Sequence, residues 1–322
     1  MLGLLLDYLA EDERRCGLGD YTLERDTFMC ARQLQMYGGS WTEKKLQILS
    51  KYLEAYTKAL KNQPFELIYI DAFAGTGYRE LPTAGPDDEG TLFAELVEPD
   101  PQQFLDGSAR MALGISPPFH RYMFIEKSGT RLSELKKLRD SSDLCDRIEL
   151  KLGDCNDELL DICMNWDWRG QRAVLFLDPF GMQVDWSTIE AVARTRAIDM
   201  WILFPISAVN RLLTQSGNIP TKWADRLTNL FGTPTWQEEF YQNAPDGLFG
   251  STGVSRKACD WMDIAGLWNE RLRSVFADVA DNPRMLHNST GAPLFLFCFA
   301  AANPKGAPIA KRIAGHILEH ME

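Results

Sequence analysis

The segment Asp71-Ala72-Phe73-Ala74-Gly75-Thr76-Gly77 sets a carboxylate, an aromatic ring and two glycines directly after the apolar run that ends at Tyr69-Ile70. Such a run reads as a strand covered on both faces of a sheet. Gly75 and Gly77 would let backbone approach a ligand that a Cβ would block, with Asp71 placed to accept hydrogen bonds from an amino group and Phe73 beside it. The chemistry this edge suits is the binding of S-adenosylmethionine for methyl transfer. A dinucleotide fingerprint would require a third glycine three positions after Gly77, where Glu80 stands and would repel a pyrophosphate.

Further acids close later apolar runs. Glu126 follows Tyr122 to Ile125, Gly153-Asp154 follows Ile148 to Leu152, and Asp178-Pro179-Phe180-Gly181 follows Ala173 to Leu177. Adenosylmethionine needs backbone approach at its methionine portion, an acceptor for its ribose hydroxyls and an acceptor near its adenine amine. Gly75 and Gly77, then Glu126, then Asp154 supply these in chain order. Any one of the carboxylates reads equally well as a helix N-cap; three of them in order are harder to account for that way. Asp178, Pro179 and Phe180 form the candidate catalytic motif. An acid and a nearby carbonyl would hold the target N–H bonds while an aromatic ring supports the acceptor base, and such orientation can remove ~7–11 kcal/mol of barrier without a separate strong base. Trp41 and Lys44, near the start of a helix, could reach the methionine end.

Those residues must be held by a framework. Ser40 and Glu43 form a capping-box pattern ahead of Leu46, Leu49, Leu53 and Tyr56 at helical spacing, an amphipathic helix to about residue 61. Strands then alternate with helices, with a fifth strand at Ile198 to Phe204, which predicts an α/β fold: a Rossmann-like, doubly wound, mostly parallel sheet of the class I methyltransferase kind. Ligands bind such sheets beyond the carboxyl ends of the strands. The expected domains are an N-terminal extension over residues 1–40, a core over 41–211, an inserted aromatic-rich helical lobe over 212–282 and a return to the core over 283–322. Long insertions at this edge tend to carry function, so the lobe is expected to cover the acceptor side of the cleft.

Composition narrows the partners. A net charge of -11 gives no global attraction to a phosphate backbone. A nucleic-acid substrate would need a local basic surface, and Arg131, Lys136, Lys137 and Arg139, or Lys305, Lys311 and Arg312, read more simply as solvated helix faces. The seven cysteines are scattered and form no C-x-x-C pair, which points to a reducing cytoplasm. His316 and His320 have metal-pair spacing but lie in the last turns of the chain with only Glu319 near, so no metal site is expected. No apolar run reaches membrane-spanning length.

The chain resembles the three-Cys-motif partner family. The matches are Trp41-Thr42-Glu43-Lys44-Lys45-Leu46 with Tyr52-Leu53, Tyr69 to Gly77, Gly107-Ser108-Ala109-Arg110, Phe124-Ile125-Glu126-Lys127, Asp178-Pro179-Phe180-Gly181, Asn210-Arg211 and Asn303-Pro304-Lys305-Gly306. The resemblance implies a bacterial protein with a methyltransferase-like fold, working beside a radical-SAM-like three-cysteine protein. More distantly, Asp71 to Gly77 is similar to the cofactor motif of nucleic-acid amino-methyltransferases. Those usually read acid, proline, proline, aromatic at the catalytic motif, whereas Phe180 here takes the second proline position and Gly181 the aromatic one. Two functions are therefore expected: methyl transfer from S-adenosylmethionine to a nitrogen, on a nucleobase of DNA or RNA, or a non-catalytic cofactor-binding role with the three-cysteine partner.

Overall fold

The computed structural model describes residues 40–74, 107–243 and 255–321. Helix α1 (Ser40–Leu60) lays Leu49, Tyr52, Leu53 and Tyr56 along one buried stripe. It leads into β1 (Glu66–Asp71), and the chain then runs through α2 (Gly107–Leu113), β2 (Arg121–Glu126), α3 (Gly129–Asp140), β3 (Ile148–Leu152), α4 (Cys155–Asn165), β4 (Gln171–Leu177), α5 (Trp186–Arg194) and β5 (Ile198–Phe204). These strands are parallel to their neighbours, in the order β3-β2-β1-β4-β5.

Beyond β5 come α6 (Ile206–Leu212), α7 (Thr221–Phe231), α8 (Trp236–Phe240), β6 (Tyr241–Asn243), β7 (Ser255–Lys257) and α9 (Trp261–Val275). Then follow β8 (Asp278–Val279), β9 (Arg284–His287), β10 (Pro293–Ala301) and α10 (Ala307–His320). β10 lies antiparallel to β5 on one side and to both β8 and β9 on the other. β8 and β9 thus act as one interrupted edge strand running with β1–β5, and β10 alone runs against them among the described residues. The result is a doubly wound, Rossmann-like α/β sheet with the strand order of a class I methyltransferase fold.

Because both faces are covered, successive strand residues feed different cores. Ile68, Ile70, Leu175, Met200 and Ile202 pack with α4, α5, α6, α7 and α9, while Tyr69, Phe124, Phe176 and Trp201 pack with α1, α2, α3 and α10.

The aromatics of residues 212–282 join the first of these cores. Trp268 stacks on Phe204 with ring centroids 4.3 Å apart, and Phe231, Trp236 and Phe240 are buried around it. Burial of these rings leaves them no face for a nucleobase, and Trp223 and Trp261 pack partly buried against the same core. Asp260 starts α9 with a reciprocal capping box to Asp263. The segment is not purely helical: β6 and β7 form a separate antiparallel pair. The two basic groups lie on α3 and around α10 and are largely engaged in local ion pairs, Arg131 with Glu126, Lys137 with Glu134, Arg139 with Asp140 and Lys311 with Asp278 and Asp281. No helix among the described residues is long and apolar enough to cross a membrane.

Gly232 shows how closely α7 seats on α5. It ends α7 at φ 68°, and a Cβ there would sit 2.0 Å from the Trp186 ring. Gly232→Ala combines left-handed strain with overpacking, so urea unfolding should show a loss of about 2 kcal/mol or more. An unchanged midpoint would contradict this packing.

Candidate functional site

The carboxyl edge of the parallel strands gathers all four of the acids expected there, Asp71, Glu126, Asp154 and Asp178. β1 and β4 are neighbours, Asp71 lying beside Phe176, so Asp178 stands just beyond it on the next strand. Asp71 is fully buried. Its Oδ1 accepts the Phe73 N–H at 3.1 Å, which folds the chain into a turn as it leaves the strand, and the Ser108 side chain at the start of α2 also bonds to the carboxyl. The other oxygen, Oδ2, has no hydrogen-bond partner. Tyr69 holds its hydroxyl near this carboxyl without a bond of good geometry, and that hydroxyl is likewise buried and unpartnered.

Burial dominates the electrostatics of Asp71. Desolvation pushes its carboxyl up to about 7 with help from the nearby Asp178, against the Ser108 and Phe73 hydrogen bonds and the Lys45 charge. The same burial raises the Tyr69 phenol.

Asp178 is held by a residue that the sequence reading passed over. Lys45 Nζ lies 2.5 Å from Asp178 Oδ2 and 4.8 Å from the centre of the Trp41 ring. Lys45 is buried whereas Lys44, one position earlier, is only half-buried. Helical phase could have found it: Lys45 precedes Leu49 by one turn and Tyr52 by two, on the apolar stripe, where a cation demands a counter-ion. Trp41 packs on Phe295 of β10, fixing the first turn of α1 against the sheet edge.

After Asp178, Pro179 is buried while Phe180 is 41% exposed, its N–H bonded to the Gln183 side chain at 3.0 Å. An exposed ring beside a carboxylate on a rigid strand end is a surface on which a flat acceptor could rest.

Glu126 and Asp154 sit on the same edge with heavier local duties. Glu126 is buried, and its Oε1 accepts the Ser128 N–H and the Arg131 guanidinium, each at 2.6 Å. Asp154 is the N-cap of α4. Its Oδ1 accepts the Asn156 N–H at 3.0 Å and its Oδ2 pairs with Lys127 at 3.1 Å. Partial desolvation raises this carboxyl, but the Asn156 and Lys127 contacts outweigh it and hold it below the ordinary value. Gly75 and Gly77 lie outside the described residues. Among the described residues no cluster of histidine, cysteine or acidic side chains has metal-binding form.

The residues present fit an adenosylmethionine molecule: an unpartnered acid oxygen for an ammonium, a nearby cation for a carboxylate, and a second acid, Glu126, on the neighbouring strand β2 for ribose hydroxyls. No family model matches the chain and no curated protein matches it, so its likeness to the three-Cys-motif partner family stands on the motifs alone. Solved structures with similar outlines include a Legionella pneumophila protein (11% identity, 85% of this chain and 91% of that one, TM-score 0.42). Others are the methyltransferase domain of bacterial CtHen1-CN (14%, 65% and 96%, 0.25) and the YcgJ protein of Bacillus subtilis (11%, 77% and 95%, 0.29). At these scores the likenesses add nothing to the sheet topology.

The raised Asp71 carboxyl has a measurable sign. Between about pH 4 and pH 7 the folded chain keeps a proton that the unfolded chain has released, so this contribution to stability is full at low pH and fades as pH rises through about 7. Asp199, buried at the far end of β5 and also pushed up to about 7 by desolvation, acts in the same direction. Denaturant titrations from pH 5 to pH 8 should therefore show a flatter decline for Asp71→Asn than for the wild type. Parallel declines would place the titration elsewhere.

Proposed function

We propose that this protein binds S-adenosylmethionine along the carboxyl edge of β1, β2 and β3 and transfers its methyl group to a nitrogen held at Asp178-Pro179-Phe180, the acceptor being a nucleobase amino group of DNA or RNA. The observation that carries this reading is the pairing of Asp71, with its buried unpartnered oxygen, and Asp178, beside an exposed ring, on adjacent strand ends of a class I sheet. Bound adenosylmethionine would supply an electrophilic methyl on a sulfonium. This chain's own residues would do the rest. Asp71 would take the ammonium, Glu126 would take ribose hydroxyls through its Oε2, Asp154 would lie at the adenine end, and Gly75 and Gly77 would allow the backbone approach read from the sequence.

Asp178 would accept the acceptor's N–H and turn the nitrogen lone pair toward the methyl group, with Phe180 supporting the ring. As the nitrogen–methyl bond formed and the sulfur–methyl bond broke to leave a neutral thioether, that carboxylate would stabilise the positive charge on the acceptor nitrogen, take its proton and pass it to solvent. Positioning of this sort supplies the rate without a strong base.

One observation favours a second reading. Asp178 already satisfies Lys45, and its neighbouring ring is displaced by one residue from the usual motif, as befits a protein that binds the cofactor and acts only with its three-cysteine partner. Transfer of tritiated methyl to DNA, RNA and protein, with and without that partner, separates the two. Incorporation into nucleic acid by the chain alone supports the enzyme; binding without incorporation under any condition supports the second reading.

Two variants test the assignments. Glu126→Gln should weaken adenosylhomocysteine binding by about 1–3 kcal/mol in calorimetry, and an unchanged affinity would remove Glu126 from the site. Asp178→Ala should keep the ligand and lose methyl incorporation, so full turnover in that variant would overturn its role.

A further inference from the structure

Arg131 braces Glu126 and Lys127 pairs with Asp154, whereas Lys45, the cation whose charge Asp71 feels, is spent on the residue assigned to the acceptor. Its side chain is 9% exposed and that of Asp178 26%. Asp71 feels both charges, and at this strand end the Tyr69 hydroxyl and Asp71 Oδ2 are buried without partners, as is Thr42 Oγ1 one turn before Lys45 on α1. Thr42 and Lys45 share the first turns of α1, while Tyr69 and Asp71 end β1 on the same side. Two unpartnered buried polar atoms at one strand end mark a place shaped for polar ligand atoms.

A ligand with an α-amino-acid end is a zwitterion, and each half needs its own partner. Asp71 answers the ammonium. The carboxylate needs a cation, and Lys45 is the adjacent one. An ammonium on a flexible four-carbon stem can turn between two anions without movement of the backbone.

We propose that Lys45 is an exchange residue: it pairs with Asp178 as seen here, and it passes to the carboxylate of a bound amino-acid-bearing nucleoside, which releases Asp178 Oδ2 to receive the acceptor's N–H. The inference rests on the proposed function and adds an order to it. Cofactor binding prepares the acceptor carboxylate, and an acceptor arriving first meets an Asp178 already engaged. Lys45 is then a positioning residue for the transfer step and a direct ligand only to the cofactor's carboxylate.

Calorimetry on the full chain with two probes tests this, adenosylhomocysteine and methylthioadenosine, the latter lacking the amino-acid end. The wild type should prefer adenosylhomocysteine. Lys45→Met should lose adenosylhomocysteine affinity on the order of ten- to a hundredfold while methylthioadenosine binding stays, which also shows that the variant's site is folded. Lys45→Arg should restore most of the loss. Asp178→Asn, which removes the competing charge and keeps Lys45, should bind adenosylhomocysteine several-fold more tightly than the wild type. An unchanged ratio of the two affinities in Lys45→Met, or weaker adenosylhomocysteine binding in Asp178→Asn, overturns the exchange. Should Lys45→Met fail to fold, Asp178→Asn decides alone. Failure of both probes to bind the wild type instead overturns the proposed function, and the exchange with it.

Discussion

A lysine ammonium buried at the edge of a protein core must meet an anion, because the cost of stripping water from an unpaired charge is several kcal/mol. Lys45 meets Asp178, and through that contact α1 is tied to the carboxyl end of β4 on the far side of β1. The position of α1 then follows: its first turn carries Trp41 onto Phe295, and its middle carries the Tyr52 hydroxyl onto Asp199 at 2.9 Å. Between Lys45 and Tyr52 the helix runs from the ligand edge toward the opposite edge, held by an ion pair at the first, a hydrogen bond at the second and the buried Leu49 between them. Replacing such a pair with apolar residues is often neutral for stability, so its presence at this edge is better understood through what it does to the site.

The sheet supplies the second constraint. Parallel strands covered on both faces deliver their last residues to one edge, and a polar group delivered there is either solvated, capped or held for a ligand. Asp154 is capped into α4, Glu126 is braced by Arg131, and Asp71 keeps an oxygen to spare. The gradient across the edge runs from structural duty at β3 to unspent capacity at β1, which is where the charged end of a cofactor would lie.

Much of this framework was legible in the residues. Apolar runs gave β1, β2, β4 and β5 to within two residues, since strands buried on both faces leave no alternation to misread; the edge strand β3 showed instead through its alternating Ile-Glu-Leu-Lys-Leu, and the acids at the strand ends marked the edge. The shortest strands were not legible: Asp278–Val279 and Arg284–His287 are too short to show a period, and β6 and β7 are shorter than any pattern can reveal. The aromatics of residues 212–282 carried a correct signal of burial, but sequence could not say that Trp268 would share its core with Phe204 of the sheet, because that depends on how α9 packs across β10 and α6. Lys45 was missed for a simpler reason: a lysine beside another lysine looks like surface until its helical phase is set against Leu49 and Tyr52.

The most direct test of the account is a crystal structure of the full chain grown with adenosylhomocysteine. The ligand's amino-acid end should lie between Asp71 and Lys45 and its ribose at Glu126, with an open place beside Phe180 for a flat acceptor. A ligand seated away from this edge, or its amino-acid end turned from Asp71 with Lys45 still on Asp178, would contradict this placement.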